Sequence, residues 1–181
     1  VSNASSPVTD TLALESIQQM SDYLLIAQKN PDAIEYRNQT LLGSLLGGLA
    51  FSNASLGAVH AMAHSLGGFL DLPHGLCNAL LLEPVIDFNF ASCPDRYEAI
   101  GKKLKMDPTG TSPEEKKQNV ISAIRSLRES LGCTATLSDM GVSKKDIPEL
   151  AKKAKRDPCL ATNPRKPTLD DIGRMYEYAL G

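Results

Sequence analysis

His60-Ala-Met-Ala-His64-Ser-Leu-Gly-Gly-Phe-Leu-Asp-Leu-Pro-His74-Gly75 contains all 3 histidines of the chain. His60 and His64 are four residues apart, so on a helix both imidazoles project from one face, a turn apart. A helix ending near Gly67-Gly68 would let the following loop return His74 toward that face, so that all three rings meet in one cleft. Small apolar neighbours predict a dry, tightly packed setting for them. Neutral imidazole is the commonest metal ligand and the usual acid or base near pH 7. A metal site or an active site is the sharp reading; for any single ring, a hydrogen-bonded core histidine is the bland one. The helical metalloprotease pattern needs Glu directly after the first His, and Ala61 stands there. Structural zinc takes four protein ligands and catalytic zinc about three plus water. With no histidine elsewhere, completing a shell needs a carboxylate or groups from outside the chain.

Helical periodicity extends in both directions from this stretch. Thr9 or Asp10 is expected to cap a first helix with stripe Leu14, Ile17, Met20, Tyr23/Leu24 and Ala27, ending before Asn30-Pro31. A second helix is expected from Pro31-Asp32 through Leu49, where Gly43, Gly47 and Gly48 permit close helix approach at some loss of propensity. Spacing leaves open whether it continues into the third, from Ser52/Asn53 to Ser65. Leu76 to Phe90 reads as helix, bent or ended early by Pro84, and Asp95 to Lys105 as a short amphipathic one. Ser112-Pro113-Glu114-Glu115 is a strong helix start, with a stripe Val120, Ile121, Ile124, Leu127 and Leu131 that stops at Gly132. Asp146 to Lys155 reads as a helix with a solvated lysine face, and Thr168 caps the last. No alternating strand of useful length appears, so the fold class is all-α, one domain over residues 1–181.

Composition excludes several function classes. The 181 residues carry a net charge of −2, 5% aromatics and no Trp, which leaves neither the basic footprint nor the stacking platforms of a nucleic-acid binder. Cys77, Cys93, Cys133 and Cys159 form no C-x-x-C pair and fit a reducing, cytoplasmic compartment. The apolar run Leu41 to Leu72 is broken by Asn53, His60, His64 and several glycines, so it predicts a buried helix rather than a membrane span of about 20 apolar residues. Val1 to Pro7 has no secretory-signal pattern and reads as a segment cut from something longer.

The block Gly48-Leu-Ala-Phe-Ser-Asn-Ala-Ser-Leu-Gly-Ala-Val-His60-Ala-Met-Ala-His64-Ser-Leu-Gly-Gly68 resembles the long signature of the iron-containing alcohol dehydrogenases. Leu72-Pro73-His74-Gly75-Leu-Cys-Asn78-Ala79 is similar to its continuation. Val1 to Leu14 and Cys159 to Leu180, with Asn163-Pro164-Arg165, extend the likeness along the chain. The resemblance implies the helical, bundle-like C-terminal half of the dehydroquinate synthase-like fold, lacking an N-terminal α/β dinucleotide-binding domain. It implies reversible oxidation of a small alcohol to an aldehyde or ketone with NAD(P) and a metal, Fe2+ or Zn2+, in a homo-oligomer. In that family one Asp and three His bind the metal. The Asp and the first His match positions upstream of Val1; His60 and His74 match the other two, whereas spacing alone pairs His60 with His64. His64 matches a proton-relay histidine. Phe51, Leu56 and Cys159 match positions near the substrate and nicotinamide, although a buried structural cysteine is an equal reading of Cys159. Asn78 and Arg165 read as structural. The isolated piece is expected to be inactive, with an incomplete metal site. A polyol (glycerol-type) dehydrogenase of the same superfamily and a non-enzymatic helical module are the alternatives.

Overall fold

The computed structural model describes residues 1–106 and 112–181. Among them are α1 (Pro7–Lys29), α2 (Ile34–Ala54), α3 (Ala58–Leu70), α4 (His74–Asn89), α5 (Pro94–Lys103), α6 (Pro113–Ser130), α7 (Ile147–Lys155) and α8 (Leu169–Leu180). Short 3₁₀ segments cover Phe90–Ser92 and Pro158–Thr162. No strand occurs among the described residues, so the all-α expectation holds. No single described helix is long and apolar enough to cross a membrane. The chain forms two compact units, Val1–Ser55 with Cys93–Gly132, and Leu56–Ser92 with Cys133–Gly181.

In the first unit, α1 begins earlier than the sequence suggested. Ser6 is the N-cap, Pro7 takes the first turn, and Thr9 closes a reciprocal capping box instead of capping the helix itself. α2 starts at Ile34, because residues 31–33 are spent on the turn out of α1. The α1–α2 pair depends on two of the three expected glycines. A Cβ at Gly43 would lie 3.0 Å from the Gln19 Cβ, and one at Gly47 3.0 Å from the Ser16 hydroxyl; at Gly48 it would meet nothing within 4 Å. The Ser16 hydroxyl uses that closeness to donate to the Gly43 carbonyl at 2.7 Å. Arg96 of α5 clamps Asp10 of α1 through both guanidinium branches, at 3.0 and 2.9 Å. α6 has the predicted Ser112/Glu115 capping box and is followed by Gly132 at φ +83°.

The second unit is built around α3. Ala58, Ala61, Met62, Ser65 and Leu66 are all buried, the i, i+3, i+4, i+7, i+8 stripe of a core helix. They pack with Leu81, Leu137, Leu150, Ile172 and Tyr176. Two polar groups inside are paired with backbone: the Tyr176 hydroxyl donates to the Met62 carbonyl at 2.8 Å and Ser65 to the Leu150 carbonyl at 2.9 Å. α2 and α3 are not continuous, since the chain leaves helical geometry at Ser55, φ +58°. α3 also runs past Gly67-Gly68 to Leu70 and ends at Asp71 in the left-handed region, where the Asp71 N–H returns to the Gly67 carbonyl. Pro84 sits buried inside α4 without ending it.

Asn163 ties three parts of this unit together. Its side-chain oxygen accepts from the Ala58 N–H at 3.0 Å, at the start of α3, and from Asn89 at 3.2 Å. Its amide donates back to Asn89 at 2.8 Å, at the end of α4, and to the Arg165 carbonyl. The Arg165 guanidinium in turn lies 4.1 Å over the Phe88 ring and donates to the Phe88 carbonyl, as its structural reading expected.

Two stability predictions follow from these contacts, each read by urea denaturation. Asn163→Ala removes the buried acceptor of the Ala58 N–H and the two side-chain bonds to Asn89, and should cost roughly 2–4 kcal/mol. Gly48→Ala should gain up to about 1 kcal/mol of helix propensity, whereas Gly43→Ala should gain nothing or lose, because its Cβ meets α1.

Candidate metal centre

The buried stripe of α3 fixes where its histidines go. With residues 58, 61, 62, 65 and 66 facing the core, His60 and His64 are left on the opposite face. His74 occupies the first position of α4, not the turn before it. The three rings nevertheless form one cluster. Their centroids are 5.4 Å apart for His60–His74, 5.4 Å for His64–His74 and 6.2 Å for His60–His64. The expectation of a dry setting fails. His64 is 43% exposed and His74 is exposed, while His60 is half-buried. Most of the apolar character of this stretch belongs to the core face of α3; on the side that carries the imidazoles Ala63 is buried between them in helical phase.

The ring spacing suits ligation of a common ion. Imidazole nitrogens held about 2.0–2.1 Å from a tetrahedral ion place ring centroids about 5 Å apart, close to the 5.4 Å between His60 and His74. Burial, followed by the neighbouring His74 and His64, lowers the His60 pKa, with only Asp157 opposing. His60 is thereby kept in the neutral form that ligates. Imidazole donors of this kind fit a borderline metal such as iron(II) or zinc.

Asn78 is closer to this site than a purely structural reading implies. Its amide nitrogen donates to the His74 carbonyl at 3.0 Å and lies 2.9 Å from His74 Nε2. A carbonyl only accepts, so the amide N–H₂ is fixed on that side and Nε2 is its second acceptor. A cation bound through that nitrogen takes the place of the amide.

Asp157 is the functional candidate that sequence reasoning missed. It caps the 3₁₀ segment Pro158–Thr162. Its Oδ1 accepts from the Cys159 N–H at 2.8 Å, and its Oδ2 meets His64 Nδ1 at 2.9 Å. Burial alone would raise its pKa; the hydrogen bonds from Cys159 and His64 outweigh that and lower it. The Cys159 thiol is pushed up to about 11, by burial first and then by its hydrogen bond to Asp157 and the carboxylate charge. One signal was available: Asp-Pro opening a short segment is a cap pattern, and it directly precedes Cys159, already a candidate. Two further pocket candidates came from the sequence. Leu56 is partly buried, its carbonyl accepting from the Thr162 hydroxyl at 2.6 Å. Phe51 is 49% exposed on α2, in the first unit.

A sequence profile described as Fe-containing alcohol dehydrogenase family, C-terminal, matches residues 1–180. The chain is 36% identical over 179 residues to 1,3-propanediol dehydrogenase of Klebsiella pneumoniae, covering 99% of this chain and 46% of that protein. It is 38% identical to alcohol dehydrogenase 4 of Saccharomyces cerevisiae, with coverage of 98% and 47%. Against lactaldehyde reductase of Escherichia coli the identity is 37%, with coverage of 95% and 44%. The chain therefore spans about half the length of these curated relatives. Among solved structures, 1,3-propanediol oxidoreductase superposes with a TM-score of 0.95 at 36% identity, over 98% of this chain and 47% of that one. An alcohol dehydrogenase from Oenococcus oeni also gives 0.95, at 34% identity, over 99% and 47%. With the profile running from the first residue to the penultimate one, the chain belongs to the iron-containing alcohol dehydrogenase family.

Proposed function

We propose that residues 1–181 act as the C-terminal helical metal-binding domain of an NAD(P)-dependent alcohol dehydrogenase, completed by a dinucleotide-binding α/β domain. The observation that carries this is the cluster of His60, His64 and His74, within ring-to-ring distances of 5.4–6.2 Å, inside a chain of this family. His60 and His74 hold the metal together with an Asp and a third His from outside these residues. When bound, the metal supplies the Lewis acidity that favours the alkoxide of the alcohol and positions its carbinol carbon for hydride transfer to the nicotinamide.

His64 is not one of the ligands in this reading. Its ring takes the hydroxyl proton, and its 43% exposure gives that proton a way to water. Phe51, Leu56 and Cys159 are assigned to the substrate and nicotinamide pocket on the resemblance. The substrate is a small alcohol or aldehyde. A polyol is favoured within that class, because two of the relatives with the strongest matches are named 1,3-propanediol dehydrogenases. Four free cysteines support a reducing, cytoplasmic setting. Leu41 and Leu45 of α2, 65% and 60% exposed, support self-association, since apolar surface of this kind seeks partners.

Three measurements test this. The 181-residue chain alone should reduce no NAD(P) with any alcohol, while the same chain joined to its dinucleotide-binding half should turn over. In the joined enzyme, His60→Ala or His74→Ala should lower kcat/KM by at least about 10²-fold, in line with the loss of a metal ligand or its support. Calorimetric titration of the isolated chain should find weak zinc binding that His60→Ala removes, because two or three imidazoles make an incomplete shell. Turnover by the isolated chain, or a joined enzyme indifferent to both substitutions, overturns the proposal.

A further inference from the structure

We propose that Thr162 is a positioning residue for the substrate pocket: by holding the Leu56 carbonyl it keeps the link between α2 and α3 strained at Ser55, and so fixes the place of Leu56. The inference rests on the assignment of Leu56 to that pocket, but the clamp itself stands on backbone geometry and hydrogen bonds.

The strain sits at Ser55. Its φ of +58° and ψ of −172° fall in a region that is essentially reserved for glycine. Asp71 is different in kind: it ends α3 at φ +54° and ψ +37°, the ordinary left-handed geometry of a helix end, which Asp tolerates. The Ser55 side chain offers no compensation, since the residue is exposed and its hydroxyl makes no hydrogen bond among the described residues. Glycine stands two positions on. A Cβ at Gly57 would lie 2.9 Å from Asn163 Oδ1, but its φ of −156° is extended backbone that any residue adopts. The chain thus uses glycine at 57, where space is short, and does without it at 55, where the torsions call for it.

Strain of this kind persists only where the surroundings over-determine it. Three hydrogen bonds do so here. The Ser2 hydroxyl donates to the Ala54 carbonyl, just before Ser55. The Thr162 hydroxyl donates to the Leu56 carbonyl, just after it, at 2.6 Å. The Ala58 N–H donates to Asn163 Oδ1 at 3.0 Å. Thr162 is also the last residue of the 3₁₀ segment that carries Cys159, so one short segment bears one pocket candidate and holds another. A wall fixed in this way is ordered before the substrate arrives, which spares binding the cost of ordering it. The competing account, a plain helix end at Ser55, makes the contributions of Ser55 and Thr162 to stability independent.

The test begins with urea denaturation of the 181-residue chain. Ser55→Gly should raise the midpoint, because relief of strain outweighs the added freedom of the unfolded chain. Thr162→Val should lower it, and Thr162→Ser should restore most of the loss. The gain from Ser55→Gly should shrink by about half or more in the Thr162→Val background, where the link is free to relax. In the joined enzyme, Ser55→Gly and Thr162→Val should each raise KM for the alcohol about 3–10-fold with kcat changed less than about twofold, and Thr162→Ser should bring KM back. A midpoint that Ser55→Gly does not raise, or a gain that is the same with and without Thr162, overturns the clamp. A KM unmoved by both substitutions overturns the positioning role. A joined enzyme that never turns over, with the two substitutions still coupled in urea, instead defeats the dehydrogenase reading and leaves the clamp standing.

Discussion

A stripe of buried positions on a thirteen-residue helix, Ala58, Ala61, Met62, Ser65 and Leu66, with Ala63 buried beside it, decides the geometry of everything around it. Burying that stripe removes water from one side of α3 and fixes the helix's rotation about its own axis. Once the rotation is fixed, His60 and His64 have no choice of side. The apolar sequence around the histidines is therefore the means of aiming them rather than a description of their surroundings. It also explains how a half-exposed ring can be well placed: the precision comes from the core behind the helix, and the accessibility from the face in front.

The imidazoles are then distinguished by what lies next to each. His60 is neutralised by burial and by its two neighbours. His74 sits at the first position of α4 with an amide on Nε2, and His64 leans on a carboxylate anchored by the backbone. Three chemically identical side chains within one cluster thus face three different partners. That difference, rather than their shared spacing, is what makes separate roles for ligand and base physically reasonable.

Local signals in the sequence account for most of the helices. Ser112-Pro113 with Glu115, and Thr168 with Asp171, announce their caps, because a capping box is complete within four residues. The same Ser-Pro signal at Ser6-Pro7 marks the true start of α1, and the more conspicuous Thr9 and Asp10 obscured it. The clustering of the histidines was legible for the same reason, being a matter of helical phase plus one turn. Asp157 was not: it reaches His64 across 93 residues, and no periodicity connects the two. Nor does spacing reveal that Asn78 contacts the ring of His74 as well as its backbone, since that depends on the side-chain rotamer.

The hydrogen bond that Asn163 accepts from the Ala58 N–H, at the start of α3, spans 105 residues. During synthesis, the helix that carries His60 and His64 emerges long before the side chain that satisfies its leading N–H. Its final docking must wait for the closure of a long loop, an entropic step of the kind that slows folding. The two histidines that spacing makes easiest to see are thus on a helix whose native start is completed only by a side chain 105 residues further along.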